Sequence, residues 1–345
     1  MAPKVLLFGS GSVGTIYVHL LLKAGCDVTA ICRSNYTAAK ENGFTINSVV
    51  YGDNIKIHPK VVRTPSEAAS QGPYDYLLVS CKALPEAQTA SAIAPAVTKG
   101  HTTIVLIQNG IAIEEEYGSL FPSNPLLSCV VYLPVTQTSP GCIAMHGPEK
   151  LEVGTYPPSP TSGPAETLVH VLNSAGGNAT FYEDIQPQRW KKLLLNASWN
   201  PLSALTLCRD TAFLATSSFS ESTFRGILHE IASIAQALGF HSITPEAADE
   251  IFKMTTARAS KVGVQPSMLA DQLASPRPRP LEVEVILGNP LRLAREKCPQ
   301  VECPRLEMLY TLTKALDEAN RHRKPGQSLD GEDLQRKADS EAKTP

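Results

Sequence analysis

"KVLLFGSGSVGTIYVHLLLKAG", residues 4 to 25, decides the fold of this chain. A short apolar run ends in glycines, and apolar residues then recur at helical spacing until Gly25 stops them. A second apolar strand, "VTAIC", follows at 28 to 32. Strand, glycine-rich turn, helix and strand together open a βαβ unit. Within the turn, Gly9, Gly11 and Gly14 keep the G-x-G-x-x-G spacing. The first glycine permits the tight turn, the second lets backbone approach a pyrophosphate, and the third lets helix pack closely on strand. The helix N-terminus then attracts the anion. Gly9, Ser10, Gly11, Ser12, Val13 and Gly14 are therefore the candidate dinucleotide-binding loop, with a purely structural glycine turn as the alternative.

Working outward, strands are expected at 74 to 80, "YDYLLVS", and 102 to 108, "TTIVLIQ", separated by an Ala-rich helix over 84 to 98. Residues 44 to 50 and 55 to 62 could pair as an inserted hairpin. This alternation predicts an α/β, Rossmann-like, doubly wound parallel sheet. After about 125 the pattern turns to strands and loops, with a Pro- and Ser-rich loop at 157 to 164. From Gln186 nearly everything reads as helix: 222 to 238, 245 to 261, and 282 to 316 with a break near 299 to 304. Two domains are expected, an NADP-binding domain at 1–184 and a mostly α-helical substrate domain at 185–320, followed by a disordered, charged tail at 321–345.

Composition narrows the partners. A formal charge of −2, with no basic cluster interleaved with aromatics, leaves no footprint for nucleic acid or an anionic membrane. No uncharged run reaches the roughly 20 residues that span a bilayer. The eight cysteines are scattered, several within apolar runs, which suits thiols in a reducing compartment. Cys298 and Cys303 lack a second Cys or His pair, so no metal site is expected. The chain reads as a soluble, cytoplasmic protein with a small-molecule partner, and homodimer formation is left open.

An NAD-selective site would place Asp or Glu near the end of the second strand; here "AICRSN" offers Arg33 and Ser34. A cation and a hydroxyl suit the 2′-phosphate of NADPH or NADP+, unless Arg33 is simply solvated. "YTAAK", Tyr36 to Lys40, has a Tyr-x-x-x-Lys spacing but lies just past the second strand, on the adenosine side rather than the nicotinamide side.

The helical half opens on "WKKLLLNASWNPLSAL", residues 190 to 205. Residues four apart overlie one another on a helix, so Lys192, Asn196 and Asn200 share a face. Lysine snorkelling and local amide bonds would explain this without function. Pro201 should kink or end the helix, leaving Asn200 at a loosened turn.

With the glycine loop, "QNG" at 108 to 110, this helix, and "SMLADQ…RPLEVEVILGN" at 267 to 289, the sequence resembles the ketopantoate reductase family (2-dehydropantoate 2-reductases) over residues 4 to 316. Family members reduce a 2-keto acid with NADPH in a cleft between a Rossmann domain and a helical domain. The resemblance puts the catalytic lysine at Lys192, the helix-face asparagines at Asn196 and Asn200, the substrate-contacting serine at Ser267 and the substrate-hydroxyl-binding glutamate at Glu282. Asn109 and Lys82 resemble the residues near the nicotinamide, with Asn109 also touching substrate, and Arg33 the 2′-phosphate ligand. The stretch between Ser267 and Glu282 is a few residues longer than usual, and "LEVE" also offers Glu284, two positions on. The implied activity is NADPH-dependent reduction of a 2-keto acid, 2-dehydropantoate by default, with Lys192 as general acid. The rival from another class is a non-catalytic NADP(H)-binding sensor, because fold alone does not secure activity.

Overall fold

The computed structural model describes residues 2–257, 263–323 and 327–329. Its contacts divide the chain into two compact units, Met1–Arg189 and Trp190–Pro345. The strands of the first unit are β1 Lys4–Phe8, β2 Asp27–Ile31, β3 Phe44–Ser48, β4 Gly52–Ile57, β5 Lys60–Val62 and β6 Tyr76–Val79. They continue as β7 Thr103–Leu106, β8 Leu126–Tyr132, β9 Val135–Ser139, β10 Cys142–Met145, β11 Lys150–Thr155 and β12 Ala179–Phe181.

Eight strands form the main sheet in the order β12-β11-β8-β7-β6-β1-β2-β5. The order reverses at β1, which has β2 on one side and β6 on the other, both parallel to it. Right-handed crossovers then carry the connecting segments to opposite faces, and the gap at the carboxyl ends of β1 and β6 is where such sheets bind ligands. The strands around that point are fully apolar, as a sheet covered on both faces requires: Val5, Leu6, Leu7, Leu77, Leu78, Val79 and Val105 have no exposed surface. The sheet is mixed rather than all parallel, since β11 runs antiparallel to β8.

A second, four-stranded sheet has the order β4-β3-β10-β9. The expected hairpin exists as β3 and β4, antiparallel to each other. Its second arm was expected to run to 62, but β5 leaves it and joins the main sheet beside β2, where Val61 pairs with Ala30 and Val62 with Ile31. Pro59 separates β4 from β5 and breaks the ladder there. The single helix expected over 84 to 98 is instead three short pieces, Pro85–Ala87, Thr89–Ile93 and Ala94–Ala96. Gln88, at φ 42, and Pro95 interrupt it. Helix Gly163–Ser174 was not expected: it begins inside the Pro- and Ser-rich run, with Ser162 as its cap.

The second unit is helical. Gln186–Thr206 begins in the first unit and continues into this one, and Pro201 lies inside it, so of the kink or end expected there the helix has no end. Helices Ser220–Ala237, Pro245–Thr256, Ser267–Gln272, Asn289–Lys297 and Pro304–His322 follow, with a π-helical turn at Glu284–Gly288. Trp199 stacks on Phe224 at 3.9 Å between ring centroids and donates its indole N–H to Thr255 at 3.2 Å. Pro304–His322 extends past the expected start of the tail at 321, with Arg321 paired to Asp317 at 2.8 Å. Residues 258–261 of the helix expected to reach 261, and the tail from 330 to 345, lie outside the described residues.

Candidate functional site

The first half of the candidate site lies along the carboxyl edge of the main sheet. The turn after β1 packs against the turn after β6: Ser80 donates its hydroxyl to the Gly9 carbonyl at 2.7 Å and its N–H to Phe8 at 2.9 Å. A Cβ on Gly9 would collide with the backbone of Ser80 and Cys81, and Gly9 sits at φ 109, so glycine is required there twice over. A Cβ on Gly14 would strike the Gly9 carbonyl and the Ser80 hydroxyl, which is the close helix-on-strand packing expected of the third glycine. Gly11 differs, because a Cβ there would meet nothing within 4 Å.

Open space at Gly11 adjoins the N-terminus of helix Ser12–Lys23, which carries no side-chain cap and no acidic residue in its first turn. The leading N–H groups of a helix have no partner within it, and its dipole favours an anion. These residues therefore suit the pyrophosphate of a dinucleotide. Ser10 contributes through backbone rather than side chain: it is buried, its hydroxyl donates to Ile31 at 2.7 Å, and its carbonyl accepts from the Asn35 amide at 2.7 Å. Ser12 and Val13 form the first turn of the helix.

Arg33 and Ser34 are exposed just beyond the end of β2, and the Arg33 guanidinium lies 5.3 Å from the centroid of Phe8. Tyr36 and Lys40 of the dismissed "YTAAK" belong to helix Tyr36–Asn42. There the Tyr36 ring carries Arg63 at 3.8 Å and Lys40 at 5.5 Å, so it is occupied as a cation platform.

Lys82 follows β6 and Asn109 follows β7, so adjacent parallel strands deliver both to the same sheet edge. Gln108 ties the two turns, donating its amide to the Cys81 carbonyl at 3.0 Å while accepting from the Tyr117 hydroxyl at 3.2 Å.

In the helical unit, Lys192, Asn196 and Asn200 occupy successive turns of Gln186–Thr206. Lys192 is half-buried while its neighbour Lys191 is exposed. The Asn200 amide donates to Asn196 Oδ1 at 3.2 Å, and Asn200 Oδ1 accepts from the Ser267 hydroxyl at 3.0 Å and the Met268 N–H at 3.3 Å. Three candidate residues are thus joined in one hydrogen-bonded line. Asn200 is 4% exposed, so it is an inner link of that line rather than a residue opened by a loosened turn.

Glu282 is also buried, and the N–H of its neighbour Leu281 donates to Asp317 at 2.8 Å. Glu284 is engaged elsewhere, with Tyr310 at 3.2 Å, Arg292 at 2.9 Å and Lys314 at 3.2 Å. Burial pushes the Glu284 carboxyl up, but Arg292 and Lys314 outweigh it and hold it below the ordinary carboxylate value. The longer segment before Glu282 is closed by Arg279, which pairs with Asp271 at 3.1 Å.

Sequence reading missed Ser80, Gln108, Asn35 and the buried pair of Arg189 with Glu114. Ser80 and Gln108 end expected strands and could have been named from that placement. Nothing in the sequence signals that Arg189 meets Glu114.

The fold and these turns define a two-unit dinucleotide-type α/β protein with a helical partner domain. The chain belongs to the ketopantoate reductase family, a family of keto acid reductases: residues 5–158 match the model described as ketopantoate reductase PanE/ApbA, and residues 184–317 match its C-terminal model. An uncharacterized protein of Saccharomyces cerevisiae is 30% identical, the match covering 93% of this chain and 95% of that one. The crystal structure of 2-dehydropantoate 2-reductase from Methylococcus capsulatus is similar with a TM-score of 0.80 at 34% identity, covering 94% of this chain and 99% of that one. A ternary structure of D-mandelate dehydrogenase with NADH and anilino(oxo)acetate shares the fold, with a TM-score of 0.79 at 20% identity over 92% of this chain and 99% of that one. Among the described residues no helix is long and apolar enough to cross a membrane.

Proposed function

We propose that this protein reduces a 2-keto acid to the 2-hydroxy acid with NADPH, 2-dehydropantoate to pantoate being the default reaction. The observation that carries the reading is the hydrogen-bonded line from Ser267 through Asn200 to Asn196, on the helix that also bears Lys192. A protein that only senses a nucleotide has no use for it. The uncapped helix N-terminus beside Gly11 supports the dinucleotide half, and Arg33 with Ser34, in place of an acidic residue, supports NADPH over NADH.

NADPH, when bound, supplies a hydride to the keto carbon. The oxygen gains negative charge as the hydride arrives, and Lys192 gives it a proton from its ammonium, then regains one from solvent. Asn196 and Asn200 offer amide dipoles without adding a second cation. Ser267 and Glu282 are the proposed contacts to substrate polar groups, both assigned from the resemblance of their motif to the family. Lys82 and Asn109 serve the nicotinamide end, with Asn109 also reaching substrate.

The test is oxidation of NADPH, and separately of NADH, with a panel of 2-keto acids that includes 2-dehydropantoate and larger branched and aromatic members. Turnover of at least one, faster with NADPH, is expected. Tight NADPH binding with no turnover of any member would replace this reading with that of a sensor.

A further inference from the structure

Asn109 sits in a turn that the sheet does not support. The last sheet-type bond before it runs from the Ile107 N–H to Val79, and the turn then passes through Gly110 at φ 102 and Ala112 at φ 54. Both values are in the left-handed region, which an alanine adopts only where its surroundings impose it. A buried side chain bonds two carbonyls of this turn. Arg189 Nη1 donates to the Gln108 carbonyl at 3.1 Å and to the Gly110 carbonyl at 2.9 Å, the two carbonyls on either side of Asn109.

The guanidinium is itself fixed on its remaining nitrogens. Nη2 donates to the Cys129 carbonyl at 3.2 Å, and Nε lies 2.8 Å from Glu114 and 2.6 Å from the Ser128 hydroxyl. Ser128 donates in turn to Glu114 at 2.6 Å, and the Gln186 amide donates to Glu114 at 2.9 Å. Arg189 and Glu114 are 3% and 1% exposed. A buried ion pair is seldom the most stabilising way to fill a core, since an apolar replacement often does as well. Its use here is geometric: a planar fork reaches several carbonyls at fixed angles, and a lysine ammonium cannot.

We infer that Arg189, clamped by Glu114 and Ser128, is a positioning residue that fixes the Gln108–Gly110 turn and with it the presentation of Asn109. The inference rests on the reading of Asn109 as a residue of the nicotinamide end. Arg189 touches neither substrate nor cofactor in this account and acts through Asn109.

Arg189→Lys keeps the charge beside Glu114 and loses the fork. Two measurements on the full chain test the inference. In NADPH-dependent turnover, Arg189→Lys should lower kcat by tenfold or more while NADPH affinity changes by less than threefold. In an Asn109→Ala background the same substitution should cost less than twofold, because the residue it positions is gone. Independent, multiplying losses would overturn the inference, as would normal turnover of Arg189→Lys. In amide exchange, residues 109–112 should exchange at least tenfold faster in Arg189→Lys while β1 and β6 are unchanged, and an unchanged turn would overturn it. Should Arg189→Lys fail to fold, Glu114→Gln, which keeps an acceptor and weakens its hold on the guanidinium, carries both measurements with the same expectations. A wild-type protein that reduces no 2-keto acid would sink the proposed reaction alone, and amide exchange would still decide whether Arg189 orders the turn.

Discussion

Glu282 and Glu284, two positions apart, stand in different surroundings. Glu284 faces Arg292, Lys314 and Tyr310, a structural set that accounts for its carboxylate. Glu282, buried next to the Leu281 bond to Asp317, is the one proposed for substrate. Glu282→Gln should therefore lower kcat/KM for the keto acid by at least tenfold with little change in melting temperature. Glu284→Gln should leave kcat/KM within threefold and cost about 1 kcal/mol of stability, the scale of a weakened charge-assisted bond. Steady-state kinetics with thermal melts on both variants check this, and the reverse pattern would move the substrate contact to Glu284. At this scale the sequence was informative at Gly9, where the motif called for a glycine and the backbone, at φ 109 and against Ser80 and Cys81, requires one. It was silent where distant positions meet: Arg189 lies in a helix and Glu114 in another short one, and only the folded chain brings them to 2.8 Å.

Elements were legible where one signal dominated and illegible where the same residue types serve two purposes. β1, the glycine turn and helix Ser12–Lys23 follow directly from an apolar run, three glycines and helical spacing. The Pro- and Ser-rich run at 157 to 164 reads as loop, yet its last residues start helix Gly163–Ser174, because Ser at the cap and Pro in the first turn are also what helices begin with. Alanine content suggested one helix over 84 to 98, but the left-handed Gln88 and Pro95 divide it. The unexpected helix gives a direct check on its own start. Ser162 accepts from the Ala165 N–H at 3.3 Å, so Ser162→Ala should lower stability by about 0.5 to 1 kcal/mol, read as a reduced urea midpoint with an unchanged slope. An unaltered midpoint would mean that the cap contributes nothing and packing alone holds the helix.

For the whole molecule, two buried carboxylates, Glu114 and Glu149, act on the response to pH in opposite senses. Burial pushes the Glu114 carboxyl up, but Arg189, Ser128 and Gln186 outweigh it and the net position is below the ordinary value. Its contribution is therefore complete above the ordinary carboxylate range and is lost as pH falls through the lowered folded value. Glu149 is raised, because burial exceeds what the Asn178 N–H and the Tyr17 hydroxyl return. Its contribution is present below the ordinary range and is lost as pH rises through the raised value. Glu114→Gln should lower melting temperature at pH 7 with a deficit that shrinks in acid, and Glu149→Gln should raise it at pH 7 with a gain that shrinks in acid. Melts from pH 4 to 8 decide, and shifts independent of pH would show that neither charge matters to folding. The α/β sheet followed by a helical half was legible in the sequence, whereas the second sheet and this buried charge balance needed the folded chain. The proposed chemistry of Lys192 in a cofactor-dependent reductase is tested by pairing turnover with NADPH affinity in Lys192→Ala and Lys191→Ala. Lys192→Ala should lose roughly 10² to 10⁴ in kcat, the scale of a missing general acid, with NADPH affinity by fluorescence titration within about threefold of wild type. Lys191→Ala, exposed and about 100° around the helix, should turn over normally. Normal turnover by Lys192→Ala, or a dead Lys191→Ala beside it, would contradict the account.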